Sequence, residues 1–142
     1  MRLSAKTEYA TIAVLELART FGDNAPVQIR RIAEHHEIPQ RFLVQILLQL
    51  KAAGIVTSTR GSTGGYRLAK APKEITLWEI VRIIEGQDQE NAQAVSHDNP
   101  LKSVLHETWE NAFAAYKDAL VSVDFAKLVK KTQSQQNDMY YI

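Results

Sequence analysis

The 142-residue sequence contains no cysteine, and this absence excludes several kinds of chemistry. Disulfides, thiolate nucleophiles, cysteine-ligated zinc and thiolate-held iron–sulfur clusters all need cysteine side chains. Long apolar runs are also missing, since no segment approaches the ~20 residues of a membrane-spanning helix. Lys6 and Glu8 interrupt the N-terminal segment where a secretory signal peptide would be apolar. We therefore expect a cytoplasmic protein with no membrane partner, no metal site and no cofactor.

Motifs of enzymes are absent as well. The sequence has no P-loop, no dinucleotide fingerprint and no Ser/His/Asp arrangement typical of nucleophilic catalysis. We therefore predict that the protein is not an enzyme.

The net charge of +1 averages two halves of opposite sign. Residues 1–73 hold 11 lysines and arginines against 5 acidic residues, whereas residues 74–142 hold 6 against 11. A basic half can bind a polyanion such as DNA, and an acidic half must serve another purpose. Chance clustering of solvated charges would give the same numbers. Binding of DNA by the basic half is therefore supported only if that half also contains a nucleic-acid-binding motif.

The apolar periodicity predicts a mainly helical protein with one small β-hairpin. Thr76 and Glu79 have the spacing of a capping box at the start of the fourth helix. Three helices followed by a glycine-rich hairpin is the element order of a winged helix-turn-helix domain. The expected helices cover residues 3–21, 28–36, 39–53, 76–85 and 100–123, and the expected hairpin strands cover residues 55–59 and 66–68.

The second helix of the helix-turn-helix pair and the hairpin carry the candidate DNA contacts. If Phe42, Leu43, Ile46, Leu47 and Leu50 face the core, then Gln40, Arg41, Val44, Gln45 and Gln49 point outward. Gln and Arg hydrogen-bond base edges, and a small apolar side chain contacts a thymine methyl. Arg60, on a glycine-flanked tip, suits a narrow minor groove. Each feature alone is common on protein surfaces, but their order within the basic half favours a DNA-binding winged helix.

Four segments of the chain resemble the Rrf-type family of bacterial repressors. They are MRLSAKTEYA, IAEHHEIPQRFLVQILLQLKAAGIV, STRGSTGGYRLA and ITLWEIVRIIEG. The resemblance covers essentially the whole chain, and the R-G-x-x-G-G-Y wing before a helix ending in E-G is specific to the family. It implies a transcriptional regulator that binds a palindromic double-stranded operator as a homodimer. Several relatives carry an acidic residue at the position of Val44, so a different operator preference is expected.

The motif and the resemblance together define the candidate site residues and the domain boundaries. We expect a DNA-binding domain over residues 1–86, a loop over 87–99, a dimerisation helix region over 100–131 and a flexible tail over 132–142. The candidate DNA contacts are Arg2, Lys6, Gln40, Arg41, Val44, Gln45, Arg60, Ser62, Thr63, Gly64 and Tyr66, and the candidate dimer contacts are Leu101, Leu105, Trp109, Phe113, Tyr116 and Leu120.

The resemblance also bears on the iron–sulfur cluster that several relatives hold through three cysteines and a fourth ligand. Asn91, His97 and Ser103 stand near the expected cysteine positions here, and His106 resembles the fourth ligand. Because thiolates anchor such clusters, we expect no cluster. Two histidines nine residues apart are weak evidence for another metal.

The sequence ends Met139-Tyr140-Tyr141-Ile142 after a polar stretch that we interpret as a linker. Large apolar side chains gain nothing from solvent, so we expect a pocket to bind them; terminal carboxylates are recognised in this way. The cluster-free cysteine-metabolism repressors of the family have a similar tail, which implies cysteine synthase (O-acetylserine sulfhydrylase) as a partner. Folding of the tail onto its own dimer remains an alternative.

Two other functions remain open. The protein could be a ligand- or metal-responsive regulator of the same fold with unrelated targets. It could also be a protein-interaction module whose wing no longer binds DNA.

Overall fold

The computed structural model describes residues 3–23, 25–86 and 99–140, and within them the chain is mainly helical with one β-hairpin. The predicted fold class is therefore confirmed. The helices are α1 (Ala5–Arg19), α2 (Ile29–His35), α3 (Gln40–Ala52), α4 (Leu77–Glu85), α5 (Pro100–Val121) and α6 (Phe125–Tyr140), and the strands are β1 (Val56–Thr59) and β2 (Gly65–Leu68). Short 3-10 turns cover Phe21–Asp23 and Pro72–Glu74.

Side-chain caps fix where α1 and α4 begin. The Ser4 hydroxyl accepts a hydrogen bond from the Thr7 amide, and the Thr76 hydroxyl accepts one from the Glu79 amide at 3.2 Å. These caps satisfy amides that have no partner inside the helix. The predicted capping box is only half formed, because the Glu79 carboxylate accepts a hydrogen bond from Lys70 at 2.7 Å.

The apolar stripe of α3 packs into the core as predicted, with one exception. Leu43, Ile46, Leu47 and Leu50 are fully buried, whereas Phe42 is 44% exposed. At 100° per residue, Phe42 lies roughly 90° from the centre of the buried stripe, at its edge. The prediction that Phe42 faces the core is therefore wrong. Gln49, predicted to point outward, is half-buried.

The wing consists of β1 and β2 in antiparallel register, with Val56 opposite Leu68 and Thr59 opposite Gly65. A third segment joins them, because Val27 and Tyr66 exchange two backbone hydrogen bonds of 2.8 Å each. This pairing attaches the wing to the residues immediately before α2. The wing is thus fixed to the helix-turn-helix body through the main chain.

The turn between α5 and α6 is paired with the segment that starts α4. The Leu77 amide donates to the Val123 carbonyl at 2.9 Å, and the Phe125 amide donates to the Ile75 carbonyl at 3.0 Å. Phe125 itself is fully buried in the core. The first residue of α6 therefore belongs to the core of the winged-helix body.

Helix α6 corrects the expectation for the end of the chain. It continues to Tyr140, so residues 132–140 are helical, not a polar linker. This stretch contains no glycine and no proline, and glutamine is compatible with a helix, so polarity alone did not mark a break.

One core cluster connects all helices except α5. Its largest fully buried members are Leu17, Ile32, Leu43, Ile46, Leu47, Leu50, Ile55, Ile75, Ile80 and Phe125. None of the helices in the described part of the chain has the length and apolar character of a membrane span.

Candidate nucleic-acid interface

The outer face of α3 presents polar and apolar groups to solvent. Arg41 and Gln45 are exposed, and Val44 is half-buried at the edge of this face. Leu48, one turn after Val44, is 54% exposed on the same side. The face therefore offers a guanidinium, an amide and aliphatic groups, which are the groups that read base edges and thymine methyls.

Phe42 lies beneath the side chain of Arg41. The guanidinium carbon of Arg41 is 5.1 Å from the centre of the Phe42 ring, within the range of a cation–π interaction. This contact restricts the rotamers of Arg41 while leaving its N–H groups free to donate. Phe42 thus orients a candidate base-reading side chain.

The tip of the wing carries Arg60, Ser62 and Thr63, all of them exposed. Gly64 is buried, and a Cβ atom there would collide with the Thr59 carbonyl. Gly65 has φ +152°, and a Cβ atom there would collide with the Val27 carbonyl. The tight turn and the close approach of Val27 therefore both require glycine.

The wing also contacts α2 through a side chain. Gln28, the residue before α2, donates from Nε2 to the carbonyl oxygen of Ser62 at 3.1 Å. Tyr66 is half-buried and contributes its backbone to the pairing with Val27. Two independent contacts therefore fix the wing relative to the helix-turn-helix pair.

The start of α1 is held against the end of α4. The Glu85 carboxylate accepts hydrogen bonds from the Thr7 hydroxyl at 2.6 Å and the Ser4 hydroxyl at 2.8 Å. The pKa of Glu85 is lowered mainly by the hydrogen bond from Thr7 and, to a smaller extent, by the one from Ser4. The positive charge of Lys6 lowers it slightly further. Lys6 is half-buried on the first turn of α1, and Arg2 lies outside the described residues.

The predicted dimer stripe of α5 divides into two parts. Phe113 and Tyr116 are half-buried, with ring centres 5.8 Å and 6.5 Å from that of Trp78 on α4. Leu120, also half-buried, borders an apolar groove with Leu77. The other part remains uncovered in a single chain; it consists of Leu101, Leu105 and Trp109, and Trp109 is 71% exposed. Val104, which is not part of the predicted stripe, is exposed as well.

The candidate partner-binding tail lies at the edge of what the structure describes. The backbone of Met139 and Tyr140 ends α6, while Tyr141 and Ile142 lie outside the described residues.

Comparison with known proteins places the chain among transcriptional regulators. The sequence profile of the Rrf2 family, described as iron-dependent transcriptional regulators, matches residues 3–131. The chain belongs to the Rrf2 family. This membership confirms the resemblance found in the sequence, and the relatives are named as regulators and not as enzymes.

Two Rrf2-type relatives align over nearly the whole chain. The regulator CymR of Bacillus subtilis is 32% identical over 143 residues, which is 100% of both chains. A helix-turn-helix regulator of Synechocystis is 34% identical over 96% of this chain and 92% of its own.

Solved structures of the family have the same fold. IscR of T. potens superposes with a TM-score of 0.82 at 31% identity, covering 96% of this chain and 91% of its own. CymR, described as the global cysteine regulator of B. subtilis, superposes with a TM-score of 0.79 at 30% identity, covering 92% of this chain and 98% of its own.

A thiolate-held iron–sulfur cluster does not fit the donor set of this chain. There is no cysteine in the sequence to anchor a cluster. Within residues 3–23, 25–86 and 99–140, no three His, Asp or Glu side chains form a group that could hold a metal ion. His106 instead lies 3.9 Å from the Glu110 carboxylate, and Asn91 and His97 lie outside the described residues.

Three residues of this surface, Gln28, Phe42 and Leu48, were not identified as part of it from the sequence. The roles of Phe42 and Leu48 follow from helix angles, and a strict helical projection would have placed both near the outer face. Gln28 lies directly before α2, and no local pattern indicates that it contacts a loop 34 residues later.

Proposed function

We propose that this Rrf2-family protein is a dimeric repressor that binds a palindromic operator. The outer face of α3 enters the major groove, and Arg60 on the wing enters the adjacent minor groove. The observation that carries this proposal is the joint placement of the two surfaces. Arg41 and Gln45 are exposed on α3, and the wing that bears Arg60 is fixed to the same body by the Val27–Tyr66 pairing.

The candidate contacts have different roles in this proposal. Gln40, Arg41, Val44 and Gln45 read bases, while Lys6 and the wing contact phosphates. Side chains that read bases give sequence preference, and side chains that contact phosphates give affinity that depends on salt.

The second copy covers the uncovered half of α5. Leu101, Leu105 and Trp109 form an exposed apolar strip on a long helix, and soluble monomers rarely leave such patches open. A twofold dimer brings two helix-turn-helix units onto the two halves of a palindrome.

Binding to duplexes selected from a random library tests the DNA-binding function. The affinity of the wild-type protein should fall steeply between 50 and 200 mM salt. Arg60→Ala should weaken binding to all duplexes, whereas Gln45→Ala should relax discrimination at one base position by about 1–3 kcal/mol. Binding that does not depend on salt would instead support the protein-interaction module. Two variants that bind DNA like wild type would contradict the proposed roles of Arg60 and Gln45.

We further propose that regulation does not depend on an iron–sulfur cluster. The absence of cysteine supports this, because the family's usual sensor has no anchors here. Iron analysis and the visible absorbance of protein purified without oxygen provide the test. Stoichiometric iron with cluster absorbance would contradict the proposal.

The signal, in this proposal, is the supply of cysteine, transmitted by cysteine synthase. Two observations support it: the identity with CymR over the full length, and the apolar group Met139-Tyr140-Tyr141-Ile142. Ile142, together with Tyr140 and Tyr141, binds in the active site of the enzyme, where O-acetylserine competes for the same site.

Titration of the protein with purified cysteine synthase tests this link. Wild-type protein should bind, and a variant lacking residues 139–142 should lose most of its affinity. O-acetylserine should displace the wild-type protein. Equal affinity of the two proteins would reject the link and favour a ligand- or metal-responsive regulator.

A further inference from the structure

Helix α2 carries a basic surface beside the wing that the recognition of bases by α3 does not use. Gln28, Arg30, Arg31, Glu34 and His35 border a shallow concavity of about 520 Å³. Gln28 lies at one end of it, where its amide donates to the Ser62 carbonyl on the wing. This surface therefore begins at the wing tip and continues along α2.

Arg31 is the neighbour of Gln28 on this surface. Gln28 is the N-cap residue of α2, and the Arg31 amide in the first turn donates to the Gln28 carbonyl at 3.1 Å. Arg31 is therefore one helical turn from the residue that contacts the wing.

The two arginines of α2 differ in how much of their charge is compensated. Arg30 donates from Nε to the Glu34 carboxylate at 2.9 Å, and this interaction raises the pKa of Arg30. Arg31 is exposed, and among the described residues the structure pairs no carboxylate with it. Arg31 thus keeps five N–H donors and a full positive charge available for an anion.

We propose that Arg31 binds a backbone phosphate of the operator, next to the groove that the wing enters. This inference rests on the proposed DNA-binding function and extends it to a residue outside α3 and the wing. A duplex that accepts the wing in its minor groove has phosphates along both edges of that groove. Arg31 borders the same concavity as Gln28, whose side-chain amide contacts the wing. A guanidinium binds phosphate oxygens in a bidentate manner. The contact contributes affinity without reading sequence.

The salt dependence of binding measures this contact directly. Each phosphate contact contributes about 0.9 to the slope of log affinity against log salt, so the loss of Arg31 from both subunits of a dimer should reduce the slope by about 1.8. The affinity advantage of wild type over Arg31→Ala should then shrink by about 12-fold between 50 and 200 mM salt. The probe is a fluorescent duplex recovered with wild-type protein from a random library. Arg31→Lys should keep most of the slope.

The matched control is the double variant Arg30→Ala/Glu34→Ala, which removes an arginine from the same helix without changing the net charge. It should keep the wild-type slope, and circular dichroism should show that all variants are folded. An Arg31→Ala slope equal to wild type, or an equal decrease in the control, would overturn the inference. If wild-type protein shows no binding that depends on salt, the proposed function fails, and this inference fails with it.

Discussion

Helices α3 and α5 have the same kind of apolar periodicity but different surroundings. The 13 residues of α3 bury four side chains completely, whereas no residue among the 22 of α5 is buried. The stripe on α3 is covered by α1, α2, α4 and β1 of its own chain, while the apolar side chains on the first half of α5 are exposed. Periodicity therefore indicates which face needs a partner. Only the structure tells whether that partner is the same chain.

The largest expected effect is on the stability of the winged-helix body, whose core is formed within one chain. Phe125 follows α5 in sequence but is fully buried in the core, so Phe125→Ala should reduce the free energy of unfolding by about 3–5 kcal/mol. Urea denaturation at low protein concentration measures this loss. Val121→Ala, at the 45% exposed end of α5, is the control and should change stability by less than about 0.5 kcal/mol. A loss below about 1 kcal/mol for Phe125→Ala would contradict the assignment of α6 to the core.

The second effect concerns the uncovered half of α5. Trp109→Ala should leave the fold of one chain intact and weaken the dimer by about 30-fold, the cost of losing an interface hot spot of about 2 kcal/mol. Sedimentation equilibrium measures the dimer dissociation constant. Glu107→Ala, on an exposed position of the same helix, should leave it unchanged. If Trp109→Ala dimerises like wild type, the second copy contacts a different surface.

The smallest effect concerns the contact between α1 and α4. A carboxyl whose pKa is lowered by folding stabilises the protein above its ordinary pKa, about 4.3, and loses that contribution as the pH falls further. Glu85→Gln should therefore cost about 1 kcal/mol at pH 7. The difference from wild type should disappear toward pH 3.

Melting temperatures between pH 7 and pH 3 test this prediction. Glu107→Gln should follow the wild-type curve, because Glu107 is an exposed residue of α5. A Glu85→Gln deficit that persists at pH 3 would point to lost packing instead of lost charge.

Much of the fold and part of the candidate site could be predicted from local patterns. The buried stripe of α3, the cap of α4 at Thr76 and the glycine-rich wing are encoded within short windows of sequence. Contacts between distant residues could not be predicted. The Glu85 carboxylate meets Thr7 across 78 positions, and Gln28 meets Ser62 across 34, so neither contact leaves a local signal.

Two errors have a common physical origin. The polarity of residues 132–138 indicated a linker after the helices, and the apolar spacing of Phe42 with Ile46 and Leu50 indicated that Phe42 faces the core. Helix propensity and angular position decided both cases: α6 continues to Tyr140, and Phe42 lies at the edge of its stripe beneath Arg41. Composition is a weaker guide than geometry at the boundary of an element.

The way the wing is attached determines which of its residues can be replaced without moving it. Val27 and Tyr66 hold the wing through main-chain hydrogen bonds, which most amino acids can form equally well. Ser62 and Thr63 at the tip can therefore be replaced without displacing the wing. If the wing contacts the operator as proposed, new operator preferences can arise there at little structural cost. Gly64 and Gly65 are exceptions, because the Thr59 carbonyl and the approach of Val27 leave no room for a side chain at these positions.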